Sequence, residues 1–218
     1  DALEAYMAAD FVVARAIWEP LAEADNVEAQ AWMGSLYANG DGVDLDDERA
    51  FYWYMRPAGN GSLPAQTTLA AMYAYARGTR QRDQTAAHWF EKAAAAGDLN
   101  AQFNLATFYG SGRGVPQDNA RAMELYRSAA AGGHRGAQAR LGGLLAAGDG
   151  DRKPDRVEAF VWLFLAAQHG VGTALNALDG LVRLMSADEK REGMQRAESW
   201  RRSSRQDPSN VTNYPLPI

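Results

Sequence analysis

Asp44, Asp46 and Glu48 stand at alternate positions within an acidic stretch, the first place where side chains could hold a hard cation. A helix–loop–helix calcium site needs glycine at its sixth loop position and a bidentate glutamate at its twelfth. Counted from Asp44, those positions hold Arg49 and Met55, so the stretch reads as a solvated loop running into a helix start. The three histidines, His88, His134 and His169, lack the i, i+4 spacing of a zinc helix, and the chain has no cysteine to complete such a site. Surface or capping roles are expected for all three. Gly110-Ser111-Gly112 falls one residue short of a nucleophile elbow, and no Ser-x-x-Lys occurs. Gly40-Asp41-Gly42, Gly112-Arg113-Gly114 and Gly148-Asp149-Gly150 lack the further glycines and lysine of phosphate loops, and they follow helical patterns instead of strands. The aromatic run Phe51-Tyr52-Trp53-Tyr54 could stack sugars or bases, but its residues share a register with Trp18, Trp89, Phe90 and Trp162 that points to packing. No enzymatic activity, metal or cofactor is expected.

That register belongs to a repeat. An Ala-Gln pair recurs at Ala29-Gln30, Ala65-Gln66, Ala101-Gln102 and Ala137-Gln138, each 36 residues after the last. Met33, Leu69, Leu105 and Leu141 follow four places on, and Tyr37, Tyr73, Tyr109 and Leu145 eight places on. A second stripe starts at Ala14, Ala50, Ala86, Ala122 and Ala159. It continues through Ile17, Trp53, Trp89, Leu125 and Trp162, then Trp18, Tyr54, Phe90, Tyr126 and Leu163. Steps of three and four predict helices, and a period of 20–50 residues predicts stacked units that bury their apolar faces only against neighbours.

Each unit therefore reads as helix A, a glycine loop, helix B and a short polar turn. Asp46, Asp118 and Asp155 fall at helix B starts, where a carboxylate can accept from free N–H groups. Ala76-Arg77-Gly78 has lost one loop glycine, which predicts a different loop geometry there. Pro20 and Pro57 fall inside helix B and predict kinks. Tryptophans at the joints bury about 150–250 Å² each, so Trp89→Ala should cost about 3–5 kcal/mol.

The predicted architecture is all-α, a right-handed superhelix of five to six antiparallel helix pairs. One array spans residues 1–204: a capping pair at 1–28, repeats at 29–64, 65–100, 101–136 and 137–173, and a polar capping pair at 174–204 with Met194, Ala197 and Trp200 inward. Residues 205–218, with Pro208, Pro215 and Pro217, form an extended tail. With 47% hydrophobic residues there is material for a core, and no apolar run near 18 residues suggests a membrane-spanning helix. The net charge of −5 is uneven: residues 1–60 carry twelve acids against three arginines, a local balance of −9. The remainder is too weakly basic for a phosphate-neutralising stripe, so nucleic acid is not an expected partner. The first residue, Asp1, suggests a removed leader and so a periplasmic or secreted location, with the cytoplasm as the alternative.

The segments Ala101 to Tyr109 (Ala-Gln-x-x-Leu-x-x-x-Tyr), Tyr109 to Asp118 (Tyr-Gly-Ser-Gly-Arg-Gly-Val-Pro-Gln-Asp) and Trp89 to Gly97 (Trp-Phe-Glu-Lys-Ala-Ala-Ala-Ala-Gly) resemble the Sel1-like repeats, relatives of the tetratricopeptide repeat. The resemblance implies an α-solenoid and a non-enzymatic scaffold or adaptor of bacterial type. The implied binding surface is the concave face lined by helix A. Mapped here, that face holds Ser35, Asn39, Thr67, Tyr75, Phe103, Thr107 and Arg140, with Tyr75 and Phe103 as anchors for another protein or peptide. An immunity protein that neutralises a toxin or lipase is the alternative, and an enzyme of envelope polymers a third. The sequence does not fix an oligomeric state.

Overall fold

A computed structural model describes residues 1–148 and 153–206. The expected tail beyond 206 and the middle of the Gly148-Asp149-Gly150 loop lie outside the described residues. Twelve helices follow one another among the described residues, and no strand occurs there. They are α1 (Ala2–Met7), α2 (Phe11–Glu23), α3 (Val27–Asn39), α4 (Asp47–Gly59), α5 (Leu63–Tyr75), α6 (Asp83–Ala95), α7 (Leu99–Ser111), α8 (Asn119–Ala131), α9 (Arg135–Ala147), α10 (Arg156–Gln168), α11 (Gly172–Leu184) and α12 (Ala187–Gln206). The six helix pairs match the repeat count expected from the spacing, and the first is abbreviated because α1 has only 6 residues. Backbone contacts gather into two compact units. One is Asp1–Ala101 with Ser111–Gln117, and the other is Gln102–Gly110 with the described residues from Asp118 to Gln206.

The first unit is held by an apolar cluster that includes Trp18, Met33, Leu36, Tyr54, Leu69 and Met72. Buried glutamines run through the repeats and account for the Ala-Gln signature. Gln30 and Gln66 are 0% and 7% exposed, and each donates its side-chain N–H to a carbonyl eight residues back, at Ala22 (3.1 Å) and Ala58 (3.1 Å). Those carbonyls sit near the ends of α2 and α4, and each also accepts a backbone N–H, from Asp25 (3.1 Å) and Gly61 (3.2 Å). The bond gives the buried amide N–H of the glutamine its acceptor, and leaving that donor without one would cost about 1–3 kcal/mol. In the second unit Gln138 makes the same bond to Ala130 at 3.2 Å.

Loop closure also repeats. The backbone N–H groups of Asp46, Arg82 and Asp118 each donate to the carbonyl nine residues back, on Tyr37, Tyr73 and Tyr109. Asp155 donates to Leu145, ten residues back. Asp46, Asp118 and Asp155 cap their helices as expected, each carboxylate accepting from a backbone N–H three residues on. Ala76, where a glycine is missing, shows the same left-handed conformation (φ 57°, ψ 35°) as Gly40 (φ 75°, ψ 28°). The loop geometry is thus conserved in spite of the substitution, because Ala76 accepts the strain. A non-glycine residue in this region stores about 1–3 kcal/mol, offset by glycine's greater unfolded-state entropy. Ala76→Gly is therefore expected to raise unfolding free energy by about 0.5–1 kcal/mol. Urea denaturation of both proteins checks this, and an unchanged or lowered midpoint would contradict it.

Pro20 and Pro57 both lie inside continuous 13-residue helices, and the helical bond from Ala24 N–H to the Pro20 carbonyl is intact at 3.1 Å. Of the two adjacent positions expected to pack, the second is the more buried. Trp18, Tyr54, Phe90, Tyr126 and Leu163 are 0–6% exposed and face inward; at the first, Trp162 is buried too, whereas Trp53, Trp89 and Leu125 are half-buried and Ile17 is 38% exposed. Trp89 lies at the helix flank, with the Lys92 ammonium 4.8 Å from its ring centroid.

The second unit has its own cluster, with Phe160, Leu163, Leu181 and Met185. The terminal helix packs through Gly193, whose missing Cβ would stand 2.6 Å from the Phe160 ring, and through fully buried Ala197. Trp200 meets Trp162 edge-on at 6.0 Å. Met194, expected inward, is instead 37% exposed, because the close approach at Gly193 turns the neighbouring position toward solvent.

Candidate partner-binding surface

Tyr75 ends α5 and is 60% exposed, a large aromatic ring presented to solvent. The Arg113 guanidinium lies 5.5 Å from its ring centroid. Arg113 is itself fixed, since its Nε donates to the Asp83 carboxylate at 2.9 Å and its Nη2 donates to the Ala74 carbonyl. Hydrogen bonding to Asp83 raises the Arg113 pKa, and the same bond lowers that of Asp83. The cation under the ring is therefore permanent and its position is set by two anchors. A rigid aromatic with a preset rotamer loses little entropy on binding, which makes it a favourable anchor for a partner.

One repeat earlier, the same lock is present without the exposed ring. Arg77 donates through Nε (3.1 Å) and Nη2 (2.7 Å) to Asp47, and through Nη2 to the Ala38 carbonyl at 3.3 Å. Beside each arginine stands a glycine pressed onto the start of the preceding helix. A Cβ on Gly78 would lie 1.9 Å from the Asp47 carbonyl oxygen, and one on Gly114 would lie 2.3 Å from that of Asp83. The sequence reading assigned these glycines to turning the chain and missed their contact role. The signal was available: Arg77 and Arg113 are 36 apart, as are Asp47 and Asp83.

The remaining expected surface residues divide by environment. Ser35 is fully buried, which removes it from any partner surface. Its hydroxyl hydrogen-bonds with Tyr54, whose phenol pKa is pushed well up by burial. Asn39 is half-buried and donates to Ser35 at 3.4 Å and to Asp41 at 3.3 Å. Above this cluster Tyr6 donates to Asp41 at 2.9 Å, and its pKa is pushed up to about 12 by burial first and by Asp41 second. The neutral phenol is the form the fold stabilises, so this contribution is complete below pH 10 and is lost as pH rises toward 12. Phenolate absorbance followed through alkaline titration should show a late-titrating tyrosine that is missing in Tyr6→Phe. An unchanged curve would refute the assignment.

Thr67 is half-buried on α5. In the second unit Phe103 is half-buried, stacked on His134 at 4.7 Å and tilted against Tyr126 at 5.8 Å, so it serves packing first. Thr107 is exposed as a residue, and its hydroxyl lies 2.9 Å from that of Tyr126. Arg140 is exposed on α9. His134 caps α9, its Nδ1 accepting from Ala137 N–H at 2.9 Å, while His169 is the C-cap residue of α10. Among the described residues, no group of three or more His, Asp or Glu is placed to hold a metal ion. No helix among them is long and apolar enough to cross a membrane.

Antiparallel helix pairs, built from 13-residue helices in all but the first and last, and joined by repeated glutamine, arginine and loop-closing bonds, define an α-helical repeat protein of the solenoid class. The chain belongs to the Sel1 repeat family, whose Sel1 repeat pattern matches residues 27–55, 63–98, 99–134 and 136–171. These stretches begin within two residues of α3, α5, α7 and α9. Among solved structures, a protective antigen of uropathogenic Escherichia coli displaying an SLR fold is similar at 27% identity with a TM-score of 0.80. That likeness covers 94% of this chain and 46% of the antigen. A Sel1 repeat protein from Oxalobacter formigenes is 28% identical with a TM-score of 0.65, covering 72% of this chain and 62% of the other. A Sel1 repeat protein from Klebsiella pneumoniae shares the fold at 21% identity and a TM-score of 0.53, covering 83% of this chain and 89% of the other. The chain thus spans about half the length of the first of these proteins and under two thirds of the second. No curated protein sequence matches it at a significant level. Sel1 repeats are commonly protein-interaction scaffolds, typically without catalysis.

Proposed function

We propose that this protein is a non-enzymatic scaffold that binds another protein or peptide through exposed helix A positions, with Tyr75 as its principal anchor. The carrying observation is the exposed Tyr75 ring backed by a guanidinium that Asp83 and the Ala74 carbonyl hold in place. Asn39 supplies a polar group on the same unit, whereas the Thr67 hydroxyl is buried and offers none; Thr107 and Arg140 supply polar groups on the second. The balance of −9 over residues 1–60 favours a basic partner, which also suits an inhibitor that covers a basic enzyme or toxin. The antigen character of the uropathogenic relative favours a periplasmic or secreted location.

Affinity capture from the native cell extract tests the reading, with Tyr75→Ala compared against the unaltered protein at equal loading. Loss of an aromatic hot spot of about 2 kcal/mol should weaken a specific partner roughly 30-fold. The thermal midpoint should stay within a few degrees, because the ring is exposed. A captured set identical for both proteins would sink the proposal.

A further inference from the structure

Two Asn-Gly steps occur in the chain, Asn39-Gly40 and Asn60-Gly61. Glycine carries no side chain to shield its backbone nitrogen or restrict its rotation, so that nitrogen can reach the carboxamide carbon of the asparagine before it. The two steps have opposite surroundings. Asn39 is the last residue of α3 and half-buried, and its Nδ2 donates to Ser35 at 3.4 Å and to Asp41 at 3.3 Å. The Gly40 N–H is bonded to the Leu36 carbonyl at 2.9 Å, and a Cβ on Gly40 would meet Leu45 at 3.4 Å. Asn60 instead follows α4 as its C-cap residue, within the exposed stretch Gly59-Asn60-Gly61. Among the described residues none forms a hydrogen bond with its side chain. The Gly61 N–H makes a longer bond, 3.2 Å to the Ala58 carbonyl, and a Cβ on Gly61 would meet nothing within 4 Å. The repeat explains the glycine but not the asparagine. Gly61, Gly97, Gly133 and Gly170 all turn at positive φ (91°, 93°, 93° and 80°), whereas the residues before the last three are Ala96, Gly132 and His169.

We infer that Asn60 is a site of spontaneous covalent modification, converting to aspartate and isoaspartate in the folded protein while Asn39 is protected. Hydroxide takes the Gly61 amide proton, the nitrogen bonds to Cγ of Asn60, and the Cγ–Nδ2 bond breaks with loss of ammonia, leaving a five-membered imide. Water then opens the ring. Addition at the side-chain carbonyl gives aspartate, and addition at the main-chain carbonyl gives isoaspartate. Either product adds one negative charge to a chain whose net charge is −5, at a helix C-terminus where the dipole disfavours it. Isoaspartate also lengthens the main chain by one carbon inside the turn that the Ser62 N–H closes on the Pro57 carbonyl at 2.9 Å. The fold therefore tolerates, between α4 and α5, a slow change of both charge and backbone length that its other turns of this type are built without.

The whole protein, incubated at mildly alkaline pH and digested with trypsin at acidic pH, tests this by peptide mass spectrometry. Asn39 and Asn60 fall in separate tryptic peptides, so each conversion of amide to acid is read independently. In the folded protein Asn60 should convert at least tenfold faster than Asn39. In concentrated urea the two rates should converge within about a factor of two or three, since both steps are then Asn-Gly in an unfolded chain. Asn60→Gln, for which the same attack would need a six-membered ring, should remove the acidic species that ion-exchange chromatography resolves from the aged parent. A folded-state rate at Asn39 equal to that at Asn60 would overturn the inference. So would a tenfold ratio that persists in urea, which would place its cause in local sequence and not in the fold, or an acidic species that survives in Asn60→Gln.

Discussion

Gly78→Ala should destabilise the first unit by about 3–4 kcal/mol, summing strain at a positive φ with overpacking. The new methyl group would stand 1.9 Å from the Asp47 carbonyl oxygen and 2.4 Å from its carbon, at a backbone φ of +64°. Neither neighbour is a flexible side-chain tip; both are backbone at the first turn of α4. Relief requires the α5–α6 loop to withdraw, and withdrawal also breaks the Arg77 bonds to Asp47 and to the Ala38 carbonyl. Gly59→Ala is the matched control, since a Cβ there meets nothing within 4 Å. Urea unfolding should separate the two by most of the predicted difference. A Gly78→Ala protein within about 1 kcal/mol of the parent would mean the loop contact contributes little.

Phe90→Ala should cost about 3–5 kcal/mol, more than Trp89→Ala at about 2 kcal/mol, although tryptophan is the larger side chain. Phe90 is 0% exposed and fills the interior of the first unit. Trp89 is half-buried and keeps a flank toward Lys92 and His88. Its truncation removes surface that water already reaches in part, so both the transfer and the cavity contributions shrink. Thermal or urea denaturation of the two variants side by side gives the order. If Trp89→Ala proves the more damaging, the inward register described above is wrong.

Residues 89 and 90 show where reading a sequence stops. Periodicity identifies an aromatic stripe from its three- and four-residue steps, but two adjacent aromatics on one helix differ by 100° and either can satisfy that pattern. The helix pairs, their starts at Asp46, Asp118 and Asp155, and the turn glycines Gly97, Gly133 and Gly170 were all legible, because each is a local matter of caps and backbone conformation. The burial of Ser35 was not, since it depends on Tyr54 and Asn39 converging on one hydroxyl. The Arg77–Asp47 and Arg113–Asp83 locks join residues 30 positions apart, and their trace in the sequence is that both partners recur at the 36-residue period. Of the surface residues chosen from the pattern, Tyr75 is largely exposed while Phe103 is engaged in stacking, a distinction made by neighbours that the pattern does not reveal.

The loop-closing bond between a helix B start and a carbonyl on the helix before it spans nine residues in three repeats and ten in the fourth. Both ends of the longer loop keep their partners, with Asp155 still capping α10. Descent with modification is therefore channelled: a single-codon insertion is admissible between these two anchor points, whereas one placed inside a helix would rotate every downstream side chain by 100° away from its neighbours. Larger changes in length are compatible with the scheme only as copies or losses of an entire 36-residue module, so such genes should grow and shrink by tandem duplication and not by drift in segment size.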